Sequence, residues 1–315
     1  MTYIFDKSIH LQLSADENLG KKGEILVKLL QEVFERIVEP YSLHLVIDYD
    51  IRKPRSRRLD FNAKNLQKIY DLLLKGEIIE LHIRDYYEDP SKHKQFFKVD
   101  DPEDHERPKY VLPNFALGLN CRDVDPRFEA DQQLGLHPYS VFSFSLTERL
   151  FNGVIPEKVQ EQFITLFKKI AIGINATNGF ISFGSSVGAP RGNTIFEMVY
   201  RISPDRHFKL TDFLRGYFWL NLLTSTHISK LGGLDTIKNT APCSVVEEIT
   251  IDRQPAVILQ LTPDINNYNN SNLKQLRDFL VPVLPIPENP NKDGLKSFMR
   301  EKSPQLVDRL VESID

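Results

Sequence analysis

Residues 141–183 run from Val141-Phe-Ser-Phe-Ser-Leu146, through a stretch opened by Pro156 and striped by Val159, Phe163, Leu166, Phe167 and Ile170, to Phe180-Ile-Ser-Phe183. Apolar residues alternating with serine are the pattern of a strand, and steps of three and four residues are the pattern of a helix with one buried face. The stretch therefore reads strand, helix, strand. The same order occurs earlier. Ile9 to Leu13 alternates, a Gly-Lys-Lys-Gly break follows, and Ile25, Leu26, Leu29, Leu30, Val33, Phe34 and Ile37 stripe a helix that Pro40 ends; Ser42 to Ile47 is the next strand.

Two such units at similar length predict a mixed α/β, α+β protein. The expectation is two similar strand-helix-strand lobes with antiparallel sheets and packed helices. The boundary falls at a charged linker, Tyr86 to Arg107, which gives an N-terminal lobe over 1–120 and a C-terminal lobe over 121–315. In the first lobe Leu66, Ile69, Tyr70, Leu72 and Leu73 predict a second helix ending at Gly76, followed by strands at Ile78 to Ile83 and Tyr110 to Leu119. In the second, an extended Ile195 to Ile202 and a helical Thr211 to Leu223 precede a hairpin of Ser244 to Ile251 with Ala256 to Thr262. Short helical pieces at Leu273 to Leu280 and Leu295 to Ile314 complete the chain.

Composition sets limits on function. Forty Lys plus Arg stand against 43 Asp plus Glu among 315 residues, a formal charge of -3, which speaks against a nucleic-acid coating protein. Apolar residues at 41% and charged residues at 26% are those of a folded domain rather than a disordered one. The start, MTYIFDKSIHLQL, has no basic segment leading into a long apolar one, and the most apolar late stretch, Phe279 to Pro287, carries three prolines. The expectation is a cytoplasmic protein that does not cross a membrane. Cys121 and Cys243 lie far apart, without metal-ligand spacing, and predict neither a disulfide nor a zinc site.

Three motifs are candidates for chemistry. Gly184-Ser-Ser-Val-Gly188 fits GxSxG after a strand, with Asp212 and His227 downstream, so Ser186 would be the nucleophile of a hydrolase. Pro190 and Gly192 follow too soon for the helix such a nucleophile needs, and a connecting loop is the better reading. The basic cluster Arg52, Lys53, Arg55, Arg57 and Arg58 could hold phosphate or a nucleic acid, yet Asp48, Asp50 and Asp60 partly neutralise it and a solvated loop is the better reading. The carboxylates at 85–89, 100–106 and 123–131 lack calcium-loop spacing. No metal or other cofactor is expected, and no catalytic residue.

The segment Gly216-Tyr-Phe-Trp-Leu-Asn-Leu-Leu-Thr-Ser-Thr-His-Ile-Ser-Lys-Leu-Gly-Gly233 holds the only tryptophan. With the strands Gly179 to Phe183 and Val257 to Pro263, it resembles the type VI immunity family, bacterial proteins that neutralise secreted toxins. The resemblance implies a protein that binds a cognate toxin or effector stoichiometrically and does no chemistry of its own. The residues that would then meet the partner are Tyr217, Trp219 and His227 in this segment, and the acidic run Asp100, Asp101, Glu103 and Asp104, whose charge suits a basic cleft.

Overall fold

A computed structural model describes residues 8–16, 19–41, 43–51, 57–85, 114–122, 125, 127–183, 194–200, 202, 204 and 206–286. The strands are β1 (Ser8–Ala15), β2 (Leu45–Ile51), β3 (Arg57–Asp60), β4 (Ile78–Asp85), β5 (Phe115–Asn120), β6 (Ser140–Thr147), β7 (Asn178–Phe183), β8 (Leu220–Leu223), β9 (Val245–Ile251) and β10 (Gln254–Gln260). They form one sheet in the order β3-β2-β4-β5-β6-β1-β7-β8-β10-β9, and every neighbouring pair is antiparallel. The protein is thus mixed α+β. β1, the first strand in sequence, lies between β6 and β7, with Leu11 opposite Phe144 on one side and Ile181 on the other.

Among the described residues the α-helices are α1 (Gly23–Val33), α2 (Ala63–Leu74), α3 (Phe128–Gln133), α4 (Glu157–Ile174), α5 (Ile195–Tyr200), α6 (Ser225–Lys230), α7 (Leu234–Thr240) and α8 (Asn270–Leu280). α1 and α4 present the apolar stripes read from the sequence, with Leu26, Leu30, Val33, Phe163, Leu166, Phe167 and Ile170 all buried. They cover the sheet face made by Ile9, Leu11, Leu13 and Ala15; Phe163 of α4 sits with its ring centre 4.8 Å from that of Phe144 on β6. α2 joins this layer beside α1. Gly23 permits the approach, since a Cβ there would come 2.3 Å from the Leu73 carbonyl oxygen.

Helix ends follow their chemistry. Asn62 caps α2 by accepting from the Asn65 N–H at 2.9 Å, and Asn175, at φ 52, closes α4. α1 runs into a wider turn at Phe34–Val38 before the tight turn containing Pro40. The β9–β10 hairpin turns on Asp252 and Arg253, both at positive φ. The two strand-helix-strand units keep their element order but differ in span: β1 and β2 are separated by three strands, β6 and β7 by β1 alone.

Two elements differ from expectation. Residues 195–200 are helical, not extended, because Thr194 and Glu197 form a capping box. Residues 211–219 are turns leading into β8, not a helix, because Gly216 at φ 148 breaks the run and the Asn221 side chain brackets Phe218. The expected helix at 295–314 and the linker at 86–107 lie outside the described residues.

Candidate functional site

A strand sends alternate side chains to opposite faces. With Ile9, Leu11 and Leu13 under the helices, Ser8, His10, Gln12 and Ser14 face the other way. The pairing continues that polar face across three neighbours. His10 lies opposite Ser145 and Ser182, Gln12 opposite Ser143 and Phe180, Ser14 opposite Val141 and Asn178, and Asn120 lies on β5 opposite Val141. A polar sheet face ordinarily meets water. Here His10, Gln12, Asn120, Ser143, Asn178 and Ser182 are each at most 5% exposed.

What lies over part of this strip is a strap formed by the described residues of 194–218, chiefly Phe213 to Phe218. Phe218 stacks on Phe180 with ring centres 3.9 Å apart and planes 17° apart, and the Asn178 side-chain amide donates to the Phe213 carbonyl at 3.2 Å. Gly216 is required at that point, since a Cβ would meet the Phe218 ring at 2.9 Å. Arg215 is held by two parallel bonds to Glu197, Nε to Oε1 at 2.7 Å and Nη2 to Oε2 at 2.8 Å, and both side chains are essentially without exposure. Glu197 also accepts from the Thr194 N–H, Thr194 donates its hydroxyl to the Arg215 carbonyl, and the guanidinium lies 5.6 Å from the Tyr139 ring. One buried ion pair therefore ties α5, the strap and the start of β6 together.

The strip beneath is not fully paired. His10 Nε2, both carboxamide atoms of Gln12, both of Asn120 and the Ser182 hydroxyl are screened from solvent and have no partner in hydrogen-bonding geometry. Each such group costs about 1–3 kcal/mol in desolvation. Burial brings the His10 imidazole down from 6.5 to about 4, opposed by Gln12 and reinforced by the positive charge of Arg215, so the ring is neutral at pH 7.

Toward β3 the same sheet face opens. Arg58 pairs with Asp48 at 2.7 Å, Arg84 reaches the same carboxylate at 3.1 Å, and Glu80 meets His82 at 2.9 Å. Partial burial alone would raise Asp48, but Arg58 and Arg84 hold it below the usual carboxylate range. At the end of β5, Asp125 accepts from Arg122 and Arg127, and Arg127 is 70% exposed. This half-exposed ladder of alternating charge contrasts with the uncharged strip beside it.

The residues expected to meet a partner fall elsewhere. Tyr217, Trp219 and His227 are all at 0% exposure. Trp219 Nε1 donates to the Thr262 carbonyl at 2.9 Å, and His227 Nδ1 accepts from the Thr224 N–H at 3.1 Å, its ring lowered to about 4 chiefly by burial. Tyr217 and Trp219 lie just before β8 and His227 in α6, and as folded all three are packed in the core. Asp100, Asp101, Glu103 and Asp104 lie outside the described residues, as do Ser186 and Arg52, Lys53 and Arg55. His10, Gln12, Asn120 and Ser182 were not singled out in the sequence; their signal is the Ser-His-Gln-Ser series interleaved with Ile9, Leu11 and Leu13.

Comparison with solved structures finds a chain described as the Pseudomonas aeruginosa T6SS protein PA0821, with a TM-score of 0.57 and 14% identity over 88% of this chain and 73% of that one. That likeness is one of fold. No family model matches the chain, and no curated protein matches it. Among the described residues no helix is long and apolar enough to cross a membrane.

Proposed function

We propose that this chain is a cytoplasmic immunity-type protein of type VI secretion, which neutralises a cognate effector by stoichiometric binding and carries out no catalysis. The observation that carries the reading is the fold likeness to a type VI secretion protein over 88% of the chain. The resemblance of residues 216–233 to immunity proteins agrees with it. The surface assigned to the partner is the open ladder of Arg58, Asp48, Arg84, His82 and Glu80, where both signs of charge stand half-exposed on a rigid sheet and can select a complementary pattern.

The test is growth rescue. The product of the neighbouring open reading frame is induced in cells with and without this chain, and with the Arg58→Glu, Arg84→Glu double variant. Rescue by the wild-type chain and its loss in the folded double variant is the expected result. Killing that the wild-type chain leaves unchanged overturns the proposal.

A further inference from the structure

Arg57 and Arg58 are neighbours on β3, and the alternation of a strand sends them to opposite faces of the sheet. Arg58 lies opposite Asp48 and is neutralised by it on the open face. Arg57 lies opposite Tyr49, on the face that carries the helices, and is exposed. Lys68 of α2, also exposed, brings its Nζ to 5.7 Å from the centre of the same Tyr49 ring. Among the described residues neither Arg57 nor Lys68 has a carboxylate partner.

Beneath these two cations Tyr49 is 1% exposed, and its hydroxyl completes no hydrogen bond. Burial alone would raise the phenol, but Lys68 and Arg57 bring it below its ordinary value, so the field at that oxygen is positive. A buried hydroxyl ordinarily finds a partner, and two like charges gathered without a counter-ion repel each other. One bound anion answers both.

From this corner we infer that Tyr49, Arg57 and Lys68 form a binding site for a tetrahedral oxyanion of the phosphate class. The two cations match a dianion in charge. A guanidinium, an ammonium and a phenolic O–H, arriving from β3, α2 and β2, suit three oxygens of a tetrahedral group better than the two coplanar oxygens of a carboxylate. Arg57 belongs to the basic cluster of the sequence, whose next member, Arg58, serves the charged ladder instead. The site goes beyond the proposed partner role and is independent of it, because the ladder lies on the opposite face of the sheet.

Inorganic phosphate and ribose 5-phosphate separate the free ion from a phosphate ester, with acetate as the planar control. Calorimetric titration of each into the full chain at low ionic strength is expected to give a dissociation constant of about 1 mM or tighter for at least one phosphate probe, and binding of acetate at least about tenfold weaker. Arg57→Gln and Lys68→Gln, at exposed positions that the fold does not depend on, should each weaken phosphate binding at least about tenfold, and Tyr49→Phe about three- to tenfold. Lys75→Gln, about 10 Å further along α2, should leave it unchanged. Failure of both phosphate probes to bind overturns the inference. So does acetate binding as tightly, or phosphate binding that the three site variants leave unchanged or that Lys75→Gln weakens as much. Growth rescue tests the partner role separately, with variants that leave this corner intact, so loss of one reading leaves the other standing.

Discussion

The two faces of β1 are equally buried and chemically opposite. Ile9, Leu11, Leu13 and Ala15 lie under α1 and α4 with no exposure at all, and Ser8, His10, Gln12 and Ser14 on the other face are at most 7% exposed. The first face is held by close packing of aliphatic and aromatic groups, in which each buried Leu or Phe contributes about 1.5–3 kcal/mol. Beside the second, a strap is anchored on the neighbouring β7 by an aromatic stack and one amide-to-carbonyl hydrogen bond, and is tied to itself by one buried ion pair. Alternation therefore reports which side chains share a face. It does not report which face meets water.

The comparison can be broken most sharply at the strap. Glu197→Ala leaves the Arg215 guanidinium buried without its carboxylate and removes the acceptor that caps α5. It should cost about 3–5 kcal/mol in urea denaturation and loosen 194–218 in hydrogen exchange before the sheet. Next in size is the packed face, where Leu11→Ala should cost about 2–5 kcal/mol in the same experiment, with uniform rather than local loss of protection.

Acid acts on the polar side. His10 and His227 are brought down to about 4 in the fold and titrate near 6.5 when unfolded. Their neutral forms stabilise nothing further above pH 6.5, and as pH falls from 6.5 toward 4 the unfolded chain takes up protons that the folded chain refuses. Stability should decline across that window by up to about 3 kcal/mol for each imidazole, and His10→Gln should remove its share of the decline. The smallest effect has the opposite sign. Gln12→Leu should raise stability by about 1 kcal/mol, next to a Leu11 whose truncation is among the most damaging changes.

How much of this was legible in the sequence depends on the element. The stripes of α1, α2 and α4 and the alternation of β1, β6 and β7 could be read directly, because a single period ran through each without interruption. Residues 195–200 read as extended because Ile195, Phe196, Val199 and Tyr200 favour strands, a preference that the Thr194-x-x-Glu197 box overrides. Residues 211–223 were misread because a helical spacing of Phe, Leu and Tyr hid the break at Gly216. In the aromatic segment Tyr217, Trp219 and His227 are buried, which no local pattern distinguishes from a set of exposed anchors. The polar strip was missed because its residues look like an ordinary solvent face until β7, β8 and the strap are placed around them. That placement depends on β1 inserting between β6 and β7, from Ser8 opposite Thr147 and Ile9 opposite Phe183, pairings far apart in sequence that no local pattern encodes.

The central claim, that this chain acts by occupying a partner and not by catalysis, is tested most directly by titrating the purified chain into its purified cognate effector while the effector's own activity is followed. The account predicts a linear loss of activity that reaches completion at one chain per effector, with a complex of that stoichiometry in light scattering. Inhibition at far less than one equivalent, with the effector chemically altered, would contradict it, and so would full effector activity in the presence of a molar excess of the chain.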